Sequence, residues 1–158
     1  MSWLIDSSVL VSSYDETEEQ HKVSYALVEK AMAGEISACV AQQNLLEFIA
    51  VVTSPKRVAH PLSLGDALSK VADYIACFEL ISPGGMTFFT FEELLRAYPA
   101  IRERVFDVYL AATVLDNGVE KMCTWNTRHL GNIRSLTVRT PVEVLQGSKR
   151  VREKVQKG

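Results

Sequence analysis

SWLIDSSVLVSS (residues 2–13) opens with a short apolar run, closes it on an aspartate, and continues into two serines and a second apolar run. SWLI reads as a β-strand ending at Asp6, and residues from about 7 to 13 start a helix that Ser7 and Ser8 are able to cap. The same alternation continues downstream. TEEQHKVSYALVEKAMAGE (17–35) carries Val23, Leu27, Val28 and Ala31 at helical spacing, with Gly34 placed as a C-cap. ISACV (36–40) is a second strand, and QQNLLEFIAVVTS (42–54) a second long helix stopped before Pro55. A helix over about 63–78 leads into a strand at Glu79–Ile81. FTFEELLRAY (89–98) is helical, with Thr90 and Glu93 spaced as a capping box. VFDVYLAATVLDNG (105–118) is an apolar helix ending at Asn117-Gly118. KMCTW, ending at Trp125, is a strand, and LTVRT (136–140) is the last. Strands alternating with helices predict a three-layer α/β/α domain around a central parallel sheet of four to five strands. In such sheets, sites form at the carboxyl ends of the strands.

The totals agree with one domain of this kind. The chain has 158 residues, 47% of them apolar and 23% charged, enough to bury a core without disulfides or metal staples. No apolar run approaches the roughly 18–20 residues needed to span a bilayer. The first residues carry Asp6 early and no basic stretch, so no signal peptide is expected and the cytoplasm is the expected location. Cys39, Cys77 and Cys123 share no ligand spacing, and Cys39 and Cys123 read as small buried hydrophobes. The net charge of −2 is unevenly spread: residues 148–158 hold Lys149, Arg150, Arg152, Lys154 and Lys157 against Glu153, a net +4, which leaves −6 on residues 1–147. The expected organisation is a domain over 1–147 and a basic tail over 148–158. An acidic body is not the usual footprint of a nucleic-acid binder; if it handles RNA, a metal must help offset the repulsion.

Three acids stand out from the solvated ones. Asp6 closes an apolar strand, Glu47 interrupts LLEFIAVV, and Asp107 interrupts VFDVYLAATVL. Each has an ordinary reading: Asp6 as a helix N-cap, Glu47 as a helix-edge residue, Asp107 as a first-turn acid facing the helix dipole. Together they suggest more, because carboxylates in apolar surroundings are costly unless paired or metal-bound. Only Arg102 and Arg104 lie near one of them in sequence. Three acids from separate elements that converge on one point would suit a hard divalent cation. Thr124 and Asn126, at the end of the KMCTW strand, would lie on the same rim. Thr124 can donate to a carboxylate and Asn126 can orient or ligate through its amide oxygen, or either Asn126 or Thr127 simply caps a short helix. His21, His60 and His129 match no ligand or general-base spacing, and His129 alone lies near the rim.

LIDSSVLV (4–11), QQNLLEFIAVV (42–52), RVFDVYLAATVLDNG (104–118) and CTWNTRHL (123–130) resemble, in order and spacing, the four signature stretches of the PIN domains, and among them the VapC-type toxins. The resemblance covers about residues 2–146. It implies a metal-binding and catalytic set of Asp6, Glu47, Asp107 and Asn126, supported by Ser8 and Thr124. Asn126 stands where many members have aspartate, which removes a charge and weakens or reshapes a second metal position. The implied activity is an endoribonuclease dependent on Mg2+ or Mn2+, with products carrying a 5′-phosphate and a 3′-hydroxyl. The implied partners are RNA, a small cognate antitoxin and a second copy of the chain, with the apolar helix pair near 17–54 as one candidate dimer face and no membrane. Lys56, Arg57, Arg128, Arg134 and the tail are candidates for phosphate contact. Two other readings stay open: a housekeeping PIN nuclease in RNA processing, and a PIN-scaffold binding module without catalysis. A response-regulator-like domain fits less well, because it would show two adjacent early acids and a late lysine at a strand end.

Overall fold

The computed structural model describes residues 1–156, and the side chains of all of these except 101–103, 151–154 and 156. Arg102, Arg152, Lys154 and Lys157 therefore lie outside the described side chains. Five parallel strands form one sheet: β1 (Trp3–Ile5), β2 (Ala38–Ala41), β3 (Glu79–Ile81), β4 (Lys121–Cys123) and β5 (Thr137–Arg139), in the order β3-β2-β1-β4-β5. The chain winds outward from β1 to β3, returns to the other side of β1 as β4, and ends at β5. The order thus reverses between β1 and β4, where adjacent strand ends leave a crevice.

The helices are α1 (Ser7–Tyr14), α2 (His21–Met32), α3 (Gln42–Val52), α4 (Leu64–Cys77), α5 (Thr87–Ala97), α6 (Val105–Asp116), α7 (Thr127–Leu130) and α8 (Pro141–Gln156). A 3-10 turn over Pro99–Arg104 precedes α6. Successive strand residues feed opposite layers, as a period of two requires. Leu4, Cys39 and Met122 pack with α5, α6 and α7, while Ile5, Val40 and Cys123 pack with α1 to α4. The central strands are buried on both faces, which explains why they read as continuous apolar runs. Cys39 and Cys123 are fully buried free thiols, as their surroundings in the sequence predict. Burial pushes the Cys39 thiol up to about 12 and the Cys123 thiol higher still.

The structure differs from the sequence reading at three places, each for a local reason. The helix expected from residue 17 begins at His21, because the Asp15 carboxylate accepts both the backbone N–H and the hydroxyl of Thr17 and turns the chain there. The helix expected from 89 begins at Thr87, so Thr90 lies inside it and caps nothing; Thr87 Oγ1 instead accepts from Gly84 N at 2.8 Å and donates to Asp116 at 2.6 Å. Ser7 and Ser8 do not cap α1 but donate to carboxylates. LTVRT is the last strand; α8 follows it, with Pro141 as its first residue, and runs across position 147 to Gln156. Among the described residues no helix is long and apolar enough to cross a membrane.

Candidate functional site

The carboxyl ends of β1 and β4 are locked together by pairing of Ile5 with Cys123 and by the Asp6 N–H donating to Cys123 O at 3.0 Å. This places the residues that follow each strand, Asp6 and Thr124, side by side at the point where the strand order reverses. Asp6 occupies the N-cap position of α1, yet its side chain makes no cap bond. It is instead buried, at 7% exposure, and held from several sides. Oδ2 accepts from Ser8 Oγ and from Thr124 Oγ1, both at 2.7 Å; Oδ1 accepts from Asn44 Nδ2 at 3.2 Å. Thr124 in turn accepts the Asn126 backbone N–H at 3.0 Å, and Ser8 Oγ accepts that of Trp125 at 3.2 Å. The carboxylate thus orders the turn after β4 as well as its own loop.

Glu47 comes from the second turn of α3, on the side of that helix that meets α1. Its Oε2 accepts from Ser7 Oγ at 2.5 Å and its Oε1 from Gln43 Nε2 at 2.9 Å. Gln43 also donates to the Phe106 carbonyl at 3.1 Å, which ties α3 to the start of α6. Asp107, in the first turn of α6, is about 39% exposed and faces Arg104 at 3.6 Å. Desolvation raises its pKa above the usual carboxylate range; the charges of Asp6 and Glu47 push the same way, while Arg104 and His129 oppose. Ser7 Oγ bonds both Asp6 Oδ1, at 3.5 Å, and Glu47, while Gln43 ties Glu47 to Phe106, the residue before Asp107, so the three acids lie on linked elements. Asn126 is exposed at the N-cap position of α7 without a side-chain cap bond, so neither it nor Asp6 uses its side chain for the capping role that is its ordinary reading.

Asp6, Glu47, Asp107, Thr124, Ser8 and Asn126 are thus all at the carboxyl edge of the sheet. Among the described residues, no group of three histidine, cysteine, aspartate or glutamate side chains is drawn together tightly enough to hold an ion as it stands. Hydroxyl and amide donors engage Asp6 and Glu47, and Arg104 lies 3.6 Å from Asp107. The donor set still fits a hard cation, since it offers carboxylate and amide oxygens, concentrates like charge at one rim and has one described ion-pair partner. Sequence reasoning misses Ser7, Gln43 and Asn44. Asn44 is buried and serves two sides, accepting from Ala41 N at 3.0 Å as well as donating to Asp6. Its position one turn before Glu47 is the only signal for it, and QQN reads by itself as a polar helix start.

A groove of about 600 Å³ opens beside the acids, lined by Ser7, Ser8, Glu47, Asn126, Trp125 and Arg57 among others. The other large groove, about 550 Å³, involves Trp3, Lys121, Thr137 and Arg139 and lies away from the carboxylates.

No family model matches the chain, and no curated protein matches it by sequence. Solved structures do. The chain matches VapBC-1 from nontypeable Haemophilus influenzae with a TM-score of 0.63 at 10% identity, over 90% of this chain and 99% of that one. VapBC2 from Rickettsia felis, bound to a DNA fragment from its promoter, gives 0.62 at 15% identity over 89% and 98%. VapC20 from Mycobacterium tuberculosis, described as a sarcin-ricin loop cleaving toxin, gives 0.62 at 12% identity over 82% and 94%. At these identities the likeness concerns the fold, and it extends over nearly the whole of each matched chain. The five-stranded parallel sheet with its flanking helices is the fold of the VapC toxins in these structures.

Proposed function

We propose that the protein is a divalent-metal-dependent endoribonuclease, the toxin of a toxin–antitoxin pair. The observation that carries this reading is the placement of Asp6 and Thr124 at the crevice where the strand order reverses, with Glu47 tied to α1 through Ser7 and to the residue before Asp107 through Gln43. The likeness in fold to toxins of VapBC complexes supports it, and the cognate antitoxin and a second copy of the chain are the proposed partners. Residues 1–147 form the proposed nuclease domain, with 148–158 as a basic extension.

Asp6, Asp107, Glu47 and Asn126 would hold Mg2+ or Mn2+. When bound, the ion supplies Lewis-acid polarisation of the phosphate and charge neutralisation. The chain's own residues do the remaining work. Ser8 and Thr124 fix the Asp6 carboxylate in one orientation, so little reorganisation is needed as charge develops. Glu47, held by Ser7 and Gln43, orients the attacking water and accepts its proton. Water oxygen bonds to phosphorus, the 3′-oxygen leaves and takes up a proton, and the products are a 5′-phosphate and a 3′-hydroxyl.

The test is incubation of purified protein, freed of any co-purifying partner, with a mixed RNA pool in Mg2+, in Mn2+ and in EDTA, beside an Asp6→Asn, Asp107→Asn double variant. Discrete cleavage by the wild type that EDTA and the double substitution both abolish is the expected result. A folded, partner-free wild type that cleaves nothing would favour a binding module, the reading to which the neutral Asn126 also leans. Equal cleavage by wild type and variant would remove the site assignment.

A further inference from the structure

The groove beside the carboxylates has a wall whose chemistry the hydrolysis does not use. Trp125 follows Thr124 directly, packs in part against the core and is otherwise partly exposed, and it is among the residues lining the groove. Its one polar atom points the other way: Nε1–H donates to Ser24 Oγ at 2.8 Å. Ser24 is fully buried and shares a hydrogen bond with Ser12 Oγ at 2.7 Å, and Ser12 Oγ also lies 2.8 Å from the Ser8 carbonyl. The ring is therefore fixed from beneath by a serine pair, with its hydrogen-bonding capacity already spent. With its one donor engaged, what this partly exposed residue can offer a ligand is aromatic surface.

Arg57 also lines the groove, is exposed, and makes no ion pair or side-chain hydrogen bond among the described residues. Ser7, Glu47 and Asn126 line it too, so the groove reaches one of the three carboxylates and the neighbour of a second. At about 600 Å³ it falls in the size range of small-ligand sites. Glu18, on the same lining, disfavours a long run of phosphates there and limits the occupant to a short one.

We propose that this groove is a base-stacking subsite for the nucleotide adjoining the scissile phosphate of a single-stranded RNA, with Trp125 as its stacking wall and Arg57 contacting the flanking phosphate. A preset aromatic face without a free donor accepts any base by stacking, so the subsite selects unpaired RNA rather than a particular sequence. The planar guanidinium matches a phosphate through paired N–H donors. The proposal rests on the nuclease reading, and its test separates the two.

The chain has two tryptophans, so Trp3→Phe, at a residue that is not part of this groove's lining, leaves Trp125 as the sole indole fluorophore. Titration of that variant in Ca2+ with a uridine hexanucleotide should give saturable quenching. A ribose-phosphate hexamer without bases should give none. In the cleavage assay, Trp125→Phe and Trp125→Leu both lose the bond to Ser24, but only the first keeps an aromatic face. KM for Trp125→Leu should rise about 10-fold over Trp125→Phe, with kcat alike within about 3-fold. Wild-type cleavage with equal KM in both variants and no base-dependent quenching overturns the subsite and leaves the nuclease standing. Neither cleavage nor quenching by a folded wild type overturns both.

Discussion

At the scale of single residues, the carboxylates owe their placement to donors that look unremarkable in the sequence. Asp6 is the residue the strand pattern exposes, since an acid closing WLI at a strand's carboxyl end has few ordinary roles. Asn44 and Ser7 carry no such mark, because a polar residue in the first turn of a helix is expected on propensity grounds alone; only the packing of α1 against α3 reveals what they hold. Asn44→Ala should destabilise the protein by about 1–3 kcal/mol, because it strands the Ala41 N–H and removes one donor from a buried carboxylate. Urea unfolding checks this; a change within error would mean that the two bonds contribute nothing net.

At the scale of elements, the apolar strands and the long helices are readable from period and composition, and their ends mostly are not. The start of α2 is set by the Asp15–Thr17 turn and the start of α5 by the Gly84–Thr87–Asp116 bonds, neither of which has a periodic signature. α8 is a different case. Thr140 and Glu143 form a reciprocal cap, with Thr140 N donating to Glu143 Oε2 at 2.8 Å and Glu143 N to Thr140 Oγ1 at 3.4 Å. The pattern TPVE announces this helix in the sequence, but the charge of the segment that follows it draws a reading as a tail. The hydrogen bond from the Thr140 backbone holds the Glu143 carboxyl below its usual range against the opposing effect of burial, with smaller help from the Thr140 hydroxyl and Arg139. A depressed folded pKa contributes stability that is present above the unfolded value, near 4.5, and is lost as pH falls through the folded one. Glu143→Gln should therefore be less stable than the wild type at pH 7, with the gap closing below about pH 4.5. Thermal melts across pH 3–8 read this directly; a gap that persists unchanged at pH 3 would show that the charge is not its source.

At the scale of the whole molecule, the sheet order makes the site. Doubly buried strands give the continuous apolar runs from which the parallel sheet is inferred, and the reversal between β1 and β4 puts Asp6 and Thr124 at one crevice. The reversal itself is a property of strand order, which no local pattern encodes; the four matching stretches supply it only through their resemblance to PIN domains. Burial on both faces also sets thiol reactivity. Cys39 and Cys123 are buried and held protonated, whereas Cys77 is exposed. Iodoacetamide at pH 8 should label one thiol in the native protein and all three in denaturant, as counted by mass spectrometry. Rapid native labelling at Cys39 or Cys123 would show the sheet to be looser than its packing implies. The apolar helix pair proposed as a dimer face spends Leu27, Val28, Leu45 and Phe48 on the core, leaving Tyr25 and Leu46 exposed to meet a partner.

The central claim is that Asp6, Glu47 and Asp107 act as one cation site. The direct measurement is calorimetric titration of Mn2+ into the partner-free protein, beside Asp6→Asn, Glu47→Gln and Asp107→Asn, each first shown to fold. The account predicts saturable binding by the wild type that each substitution weakens at least about 10-fold, the scale on which a lost ligand or its supporting bond acts. Wild-type binding that all three substitutions leave unchanged, or no binding by a folded wild type, would contradict it.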